Sequence, residues 1–426
     1  MKIHLQYGRD GLDVDVPDEN VTVLRPQFVS GLADEQAGFV EAVRAPIGSP
    51  PLRQKIAATD RVAVVIADGT RALPSDRLLP WLFAELGHVP TENFTVIVGT
   101  GTHRPNTAKE IARIVGPEVA ARYRVINHNA YDSSTMAEVC PAAEGVPALW
   151  MNREYVEADR RILVGFIEPH FMAGYSGGYK AIFPGIADLK SILHYHRAEM
   201  IGHPRSAWGV LENNPTQAHI RRMGSALAVD FLLNVTLNHQ QQITRFYCGD
   251  VIGAHEAGCA FAKEAAMVAS PRRYPLVITT NSGYPLDQNL YQSVKGMCAA
   301  AEIVEAGGEI VTVARCNDGF PSHGNFAAML AEYPSAQAML DAVYTPGFHK
   351  LDQWQVQKFA QVLLQAKVSL YSELSPEQAR QAHLTPIGDL NAYLRQRVAE
   401  LRPGTPIAVL PEGPMTIPYL DGDGQK

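Results

Sequence analysis

The sequence predicts an α/β protein, built as two α/β domains with mostly parallel sheets. Three observations lead to that class. Short, continuous apolar runs rich in β-branched residues recur along the chain. Stretches with apolar residues at helical spacing lie between them. Clusters of glycine and polar residues follow directly on the ends of several runs. A strand that is apolar without alternation is buried on both faces, which is the condition of a parallel sheet covered by helices.

The elements follow in order. Residues 61–67 (RVAVVIA) and 94–100 (FTVIVGT) read as buried strands. Between them, residues 74–87 carry Leu78, Leu79, Trp81, Leu82 and Leu86 at helical spacing. A helix is expected from Asn106 or Thr107 through Ile111, Ile114 and Val115. Residues 161–166 (RILVGF), 275–280 (PLVITT) and 309–314 (EIVTVA) read as further strands, and residues 389–401 as a helix. Pro271 and two arginines in residues 270–274 mark an exposed connection. The expected division is therefore an N-terminal cofactor-binding domain over 1–270 and a C-terminal domain over 271–403. A last strand near 406–411 cannot form a domain alone, so the 404–426 tail is expected to rejoin the first domain.

Composition excludes several classes. At 426 residues, 46% hydrophobic and 19% charged, the chain has material for more than one core. A net charge of -7 spread along the sequence argues against a nucleic-acid or anionic-membrane binder. There is no transmembrane run and no signal-peptide pattern at the N-terminus, so a cytoplasmic location is expected. The five cysteines are scattered without CxxC spacing, which favours reduced, mostly buried thiols over a disulfide framework or a structural zinc site.

Ligands of open parallel sheets bind at the carboxyl ends of strands. Asp68-Gly69-Thr70-Arg71 follows the first strand directly. Backbone N–H groups and a guanidinium there suit a phosphate or carboxylate, although a turn with Asp68 capping a helix is equally natural. Gly99-Thr100-Gly101-Thr102-His103-Arg104 ends the second strand and sets His103 on the same edge. A lone histidine is more often structural. Glu168 to Gly185 (EPHFMAGYSGGYKAIFPG) is denser. Its glycines, Lys180 and Pro184 make a poor core element, yet Phe171, Met172, Tyr175 and Phe183 make a poor solvated loop. A partly desolvated lysine in such a segment is a typical covalent attachment point. His194 and His196 are two apart, so their rings diverge on a helix and at most one is a ligand. Gln292 and Lys295 share a helix face; an amide beside an ammonium suits a small oxyacid. Trp354 sits among polar residues, where it can stack on a planar ligand or pack in a core.

Taken together, DGTR, GTHR, the Glu168–Gly185 segment with a histidine sixteen residues beyond its lysine, YQSVKG and HKLDQWQ resemble the nickel-pincer lactate racemase family of 2-hydroxyacid racemases and epimerases. The resemblance runs from DGTR to DQWQ. It implies two α/β domains with the active site in the cleft between them. It also implies a nickel-pincer nucleotide, Ni(II) pyridinium-3,5-bisthiocarboxylate mononucleotide, joined to a lysine as a thioamide. By that resemblance Lys180 is the attachment lysine, His196 the protein ligand to nickel, and His103 and His170 the paired acid/base residues. Asp68, Gly69, Thr70 and Arg71 form the turn around the cofactor, with Pro184 and Trp354 also against it. Gln292 and Lys295 bind the substrate carboxylate, Arg71 lies close to substrate, and Met172 and Tyr291 line the pocket. Tyr179 departs from the family pattern, which has a basic residue before the lysine.

The resemblance implies an isomerase that inverts C2 of a small 2-hydroxy acid, with lactate as reference and malate or another short acid as further substrates. A hydride passes reversibly to the cofactor through a 2-keto acid, which avoids a carbanion beside a carboxylate. It further implies cofactor-making enzymes as partners, and no nucleic-acid or membrane partner. Two other readings compete with this one. A phosphate- or nucleotide-binding transferase lacks the GxxxxGK[ST] loop and an intact GxGxxG. A non-enzymatic nickel-cofactor-binding protein leaves His103, His170, Gln292 and Lys295 without a task.

Overall fold

A computed structural model describes residues 1–16, 20–320 and 324–421. The chain divides into two compact units, each with its own parallel or mostly parallel sheet. The first contains Phe28–Tyr195 and Gly209–Ala265. The second contains Met1–Gln27, His196–Trp208 and Ala266–Lys426.

In the first unit the six-stranded sheet has the order Ile243–Gly249, Phe231–Leu237, Arg160–Phe166, Val62–Ala67, Phe94–Gly99, Arg124–Asn127. Every neighbour is parallel except Ile243–Gly249, which pairs antiparallel with Phe231–Leu237. The sheet buries Val64, Ile66, Val96, Val98, Ile162 and Val164 against Leu78, Leu79 and Leu82 of the helix Ser75–Glu85. Each such side chain contributes about 1.5–3 kcal/mol by leaving water. The helix expected from Asn106 or Thr107 is Ala108–Val115, started by a capping box between Thr107 and Glu110. The order of strands reverses beside Val62–Ala67: the chain first builds outward through Phe94–Gly99 and Arg124–Asn127, then returns to Arg160–Phe166 on the other side. The loops after Val62–Ala67 and Arg160–Phe166 therefore flank the switch point where such sheets bind ligands. These loops carry Asp68–Arg71 and Glu168–Gly185.

The second unit has a parallel six-stranded sheet, ordered Thr385–Ile387, Lys367–Tyr371, Val304–Val313, Tyr274–Thr280, Ile407–Leu410, Val21–Val23. Ile278, Val311 and Val409 form part of its core with Leu390 and Leu394 of the helix Leu390–Glu400. Two parts of the expected domain division need correction. The tail does not rejoin the first domain: Ile407–Leu410 pairs parallel with Tyr274–Thr280. The N-terminal residues also belong here, because Val21–Val23 extends the same sheet beyond Ile407–Leu410. Ile407–Leu410 is paired on both sides in this sheet, and Val21–Val23 forms its edge. Among the described residues, no helix is long and apolar enough to cross a membrane.

Candidate active site

In the first unit, three loops at the carboxyl ends of strands form a connected polar cluster. Asp68 follows Val62–Ala67 and is buried. Its Oδ1 accepts from the Thr70 hydroxyl at 2.6 Å and the Thr70 N–H at 3.2 Å. Its Oδ2 lies 2.8 Å from His103 Nδ1. Burial pushes the Asp68 carboxyl up, but the adjacent His103 ring, the Thr70 hydroxyl and Arg71 outweigh it and hold it below the usual carboxylate range. A carboxylate with both oxygens engaged does not suit a phosphate; the cationic Arg71 of the same turn does. Arg71 faces Glu168 at 3.8 Å across the switch point.

Lys180 lies on the short 3₁₀ turn Gly178–Ala181. Gly177 and Gly178 lead into it with φ of 81° and 55°, backbone that side-chain-bearing residues rarely adopt. A side chain at Gly178 would also press on the His255 ring, 2.9 Å away. Burial of the amine, with repulsion from Arg71, pushes the Lys180 pKa down to about 7, against the pull of Glu168 and Asp68. Such an amine is substantially neutral near pH 7 and can act as a nucleophile. Gly101 N–H donates to Gly185 O at 2.9 Å, which ties the His103 loop to the end of the Lys180 loop beside Pro184.

His170 is buried in a two-residue bridge, Pro169–His170, paired antiparallel with Gly174–Tyr175. Its Nδ1 accepts from the backbone N–H of Met172 at 3.3 Å and of Ala173 at 3.2 Å. Met172 is itself buried, and its carbonyl accepts from Asn214 and Thr216.

The sequence reading missed the props of this loop. Gly178 N–H donates to Asn234 Oδ1 at 2.9 Å, and His255 Nε2 donates to Ser176 O at 2.9 Å. Burial pushes the His255 pKa down to about 4, against the Ser176 carbonyl. The signal for Asn234 was available: an amide in the middle of the apolar strand FLLNVTL has to find a buried partner. Asn234→Ala is expected to strand the Gly178 N–H and lower stability by about 1–3 kcal/mol, read by urea denaturation.

The second unit brings together four other expected residues and His196. The ring of His196 stacks on Trp354 with centroids 4.0 Å apart and 29° between planes. Trp354 Nε1–H donates to the Tyr291 hydroxyl at 3.0 Å, and Gln353 donates to the His196 carbonyl at 3.1 Å. Gln292 and Lys295 share a face of the helix Leu290–Ala301, as expected, with Lys295 Nζ donating to Gln292 Oε1 at 2.7 Å. That contact engages the amide oxygen of Gln292. His194 lies in the last turn of the helix Leu189–Tyr195 in the first unit, its ring 5.8 Å from that of His219. Among the described residues, no three His, Cys, Asp or Glu side chains are grouped so as to hold a metal ion.

A doubly tethered histidine, a carboxylate-paired histidine and a lysine lowered to about 7 thus lie on loops at the switch point of an α/β sheet. The comparisons with known proteins give the particular family. Residues 7–209 match the lactate racemase N-terminal domain and residues 270–417 the lactate racemase C-terminal domain. The lactate racemase of Thermoanaerobacterium thermosaccharolyticum is 33% identical over 418 residues, 96% of this chain and 97% of that protein. That of Lactiplantibacillus plantarum is 32% identical, over 96% of this chain and 98% of that one. The structure of the T. thermosaccharolyticum lactate racemase apoprotein superposes with a TM-score of 0.90 at 32% identity, over 98% of this chain and 100% of that chain. A Thermotoga maritima protein at 17% identity shares the fold, with a TM-score of 0.71 over 92% of this chain and all of its own. The chain belongs to the lactate racemase family, and is accordingly an isomerase of the racemase type.

Proposed function

We propose that the protein inverts C2 of a short 2-hydroxy acid of the lactate type, by reversible hydride transfer through the 2-keto acid. The observation that carries this reading is the Lys180 amine, lowered to about 7 within a cluster that also holds Arg71, Asp68 and His103. It supports covalent loading of a cofactor beside a proton acceptor.

The residues fit a nickel-pincer nucleotide. A near-neutral amine suits amide-type attachment. A lone histidine suits a metal whose other donors arrive with the cofactor, since the described residues offer no three-ligand group. Lys180 would hold the cofactor covalently, with Gly69, Thr70, Arg71, Pro184 and Trp354 around it and Asp68 supporting that turn. His196 would ligate nickel, its ring fixed by Trp354. When bound, the cofactor supplies a reversible acceptor for the C2 hydride.

The chain's own residues do the rest. Lys295 and the Gln292 amide neutralise and orient the substrate carboxylate, and Arg71 adds a cation near the substrate. Met172 and Tyr291 shape the pocket around the C2 substituent. His103 and His170 act on the hydroxyl proton, which leaves oxygen as the carbonyl forms and returns when it is reduced. Cofactor-making enzymes would act before this one, to supply the nucleotide.

Racemisation of a single lactate enantiomer by protein co-expressed with those enzymes, followed by chiral chromatography, tests the activity. Metal analysis tests the ligand. His196→Ala is expected to lose nickel, whereas His194→Ala keeps it. Nickel retained in the first variant and lost from the second would show that the ligand is His194.

A further inference from the structure

Both histidines meet the protein through Nδ1, but the partners require opposite protonation of that nitrogen. His103 Nδ1 lies 2.8 Å from Asp68 Oδ2. An ionised carboxylate only accepts, so Nδ1 carries the proton, and a neutral His103 has its lone pair on Nε2. Asp68 has little freedom to do otherwise. It is 5% exposed, and Thr70 fixes its other oxygen at 2.6 Å.

His170 is the reverse case. Its Nδ1 faces two backbone N–H groups, those of Met172 and Ala173. A backbone N–H only donates, so Nδ1 is the bare nitrogen and a neutral His170 carries its proton on Nε2. This backbone is also pinned. Met172 O accepts from Asn214 Nδ2 at 2.9 Å and Thr216 Oγ1 at 2.7 Å, and both of those residues are fully buried at the start of the helix Pro215–Gly224.

We propose that the enzyme awaits substrate with unlike tautomers on its two histidines, and that Asp68 is the positioning residue that sets His103 as the proton acceptor. The inference rests on the roles given to His103 and His170 above. A hydroxyl that faces His103 meets a lone pair. Its O–H bond breaks, an N–H bond forms at Nε2, and the resulting imidazolium lies against Asp68. A hydroxyl that faces His170 meets an N–H donor instead, so that ring has to rearrange before it can take a proton. The enzyme is thus poised for one enantiomer of its 2-hydroxy acid and reaches the other half-reaction only after a change at His170.

The test has two parts, both on the full chain. The first uses ¹⁵N-histidine-labelled protein, with ring signals assigned through His103→Gln and His170→Gln. Two-dimensional ring spectra should show the Nδ1–H form at His103 and the Nε2–H form at His170. In Asp68→Asn the amide NH₂ can turn toward His103, and that ring should change to the Nε2–H form. Like tautomers in the wild type, or a His103 signal indifferent to Asp68→Asn, would overturn the inference whatever the activity. The second part is single-turnover oxidation of each lactate enantiomer by cofactor-loaded enzyme. One enantiomer should react faster. Asp68→Asn should slow that one by about 10²–10⁴-fold and the other by far less, with both rates taken per loaded chain from the cofactor mass increment. Asp68→Glu, which keeps a carboxylate, should recover part of the loss. Equal slowing of both enantiomers would also overturn the inference. If the tautomers are as stated but the loaded protein oxidises neither enantiomer, the functional reading fails and the poise for one enantiomer fails with it, while the ring assignment stands.

Discussion

Lys180→Ala is expected to abolish both cofactor attachment and racemisation. The variant removes the near-neutral amine of this cluster, the group whose depressed pKa of about 7 follows from burial and Arg71. Denaturing mass spectrometry should show the cofactor mass increment on the wild type and none on Lys180→Ala. Persistence of the increment would place the attachment elsewhere. The pKa gives this prediction a pH signature with a definite sign. The amine is protonated and unreactive below its pKa and neutral above it. Acylation of Lys180 in the cofactor-free chain should therefore rise as pH passes through about 7 and level off above it. An ordinary lysine would keep gaining reactivity towards pH 10.4. Site-resolved labelling over that range separates the two courses.

His103→Ala and His170→Ala are each expected to cost about 10²–10⁴-fold in racemisation, the usual loss of a positioned proton-transfer group. Nickel content should be preserved in both, because neither ring is assigned to the metal. The losses have different local causes. Removing His103 leaves Asp68 buried and ionised without its partner, so that variant should also be less stable. Removing His170 leaves the Met172 and Ala173 N–H groups without their acceptor. Near-normal racemisation by either variant, with folding and nickel confirmed, would remove that histidine from the mechanism.

Much of the fold was legible in the sequence. The runs around 62–67, 94–99, 160–166 and 274–280 are continuous and rich in β-branched residues, and with helical stretches between them they suit a covered parallel sheet. The helix after Thr107 was legible because its cap is local. The errors lie where pairing is remote. Val21–Val23 is three residues long, and its partner is Ile407–Val409 at the far end of the chain. No local pattern announces such a pairing, and so both ends of the chain were expected in the other unit.

The candidate site divides in the same way. Residue types and spacing singled out His103, Lys180, Gln292 and Lys295, and the family resemblance added His170. Spacing alone predicted the shared face of Gln292 and Lys295, since three residues along a helix bring side chains together. The Asp68–His103 pair was not legible, because it depends on two neighbouring strands ending at the same level. Asp68 was read as a cap or a cofactor contact. In the structure it pairs with His103 Nδ1, a contact neither reading contained. Trp354 was read as packing beside the cofactor, and in the structure it stacks on the His196 ring.

The central claim is that C2 is inverted by moving a hydride, with His103 and His170 handling only the hydroxyl proton. The most direct measurement uses one enantiomer of lactate deuterated at C2, incubated with cofactor-loaded enzyme in ordinary water. The opposite enantiomer is then isolated and its C2 label measured by mass spectrometry. A hydride that leaves and returns with its electron pair does not mix with solvent protons, so the account predicts full racemisation with the deuterium retained at C2. Racemisation with the label washed out into water would mean that a base removes the C2 proton itself, and would contradict the account.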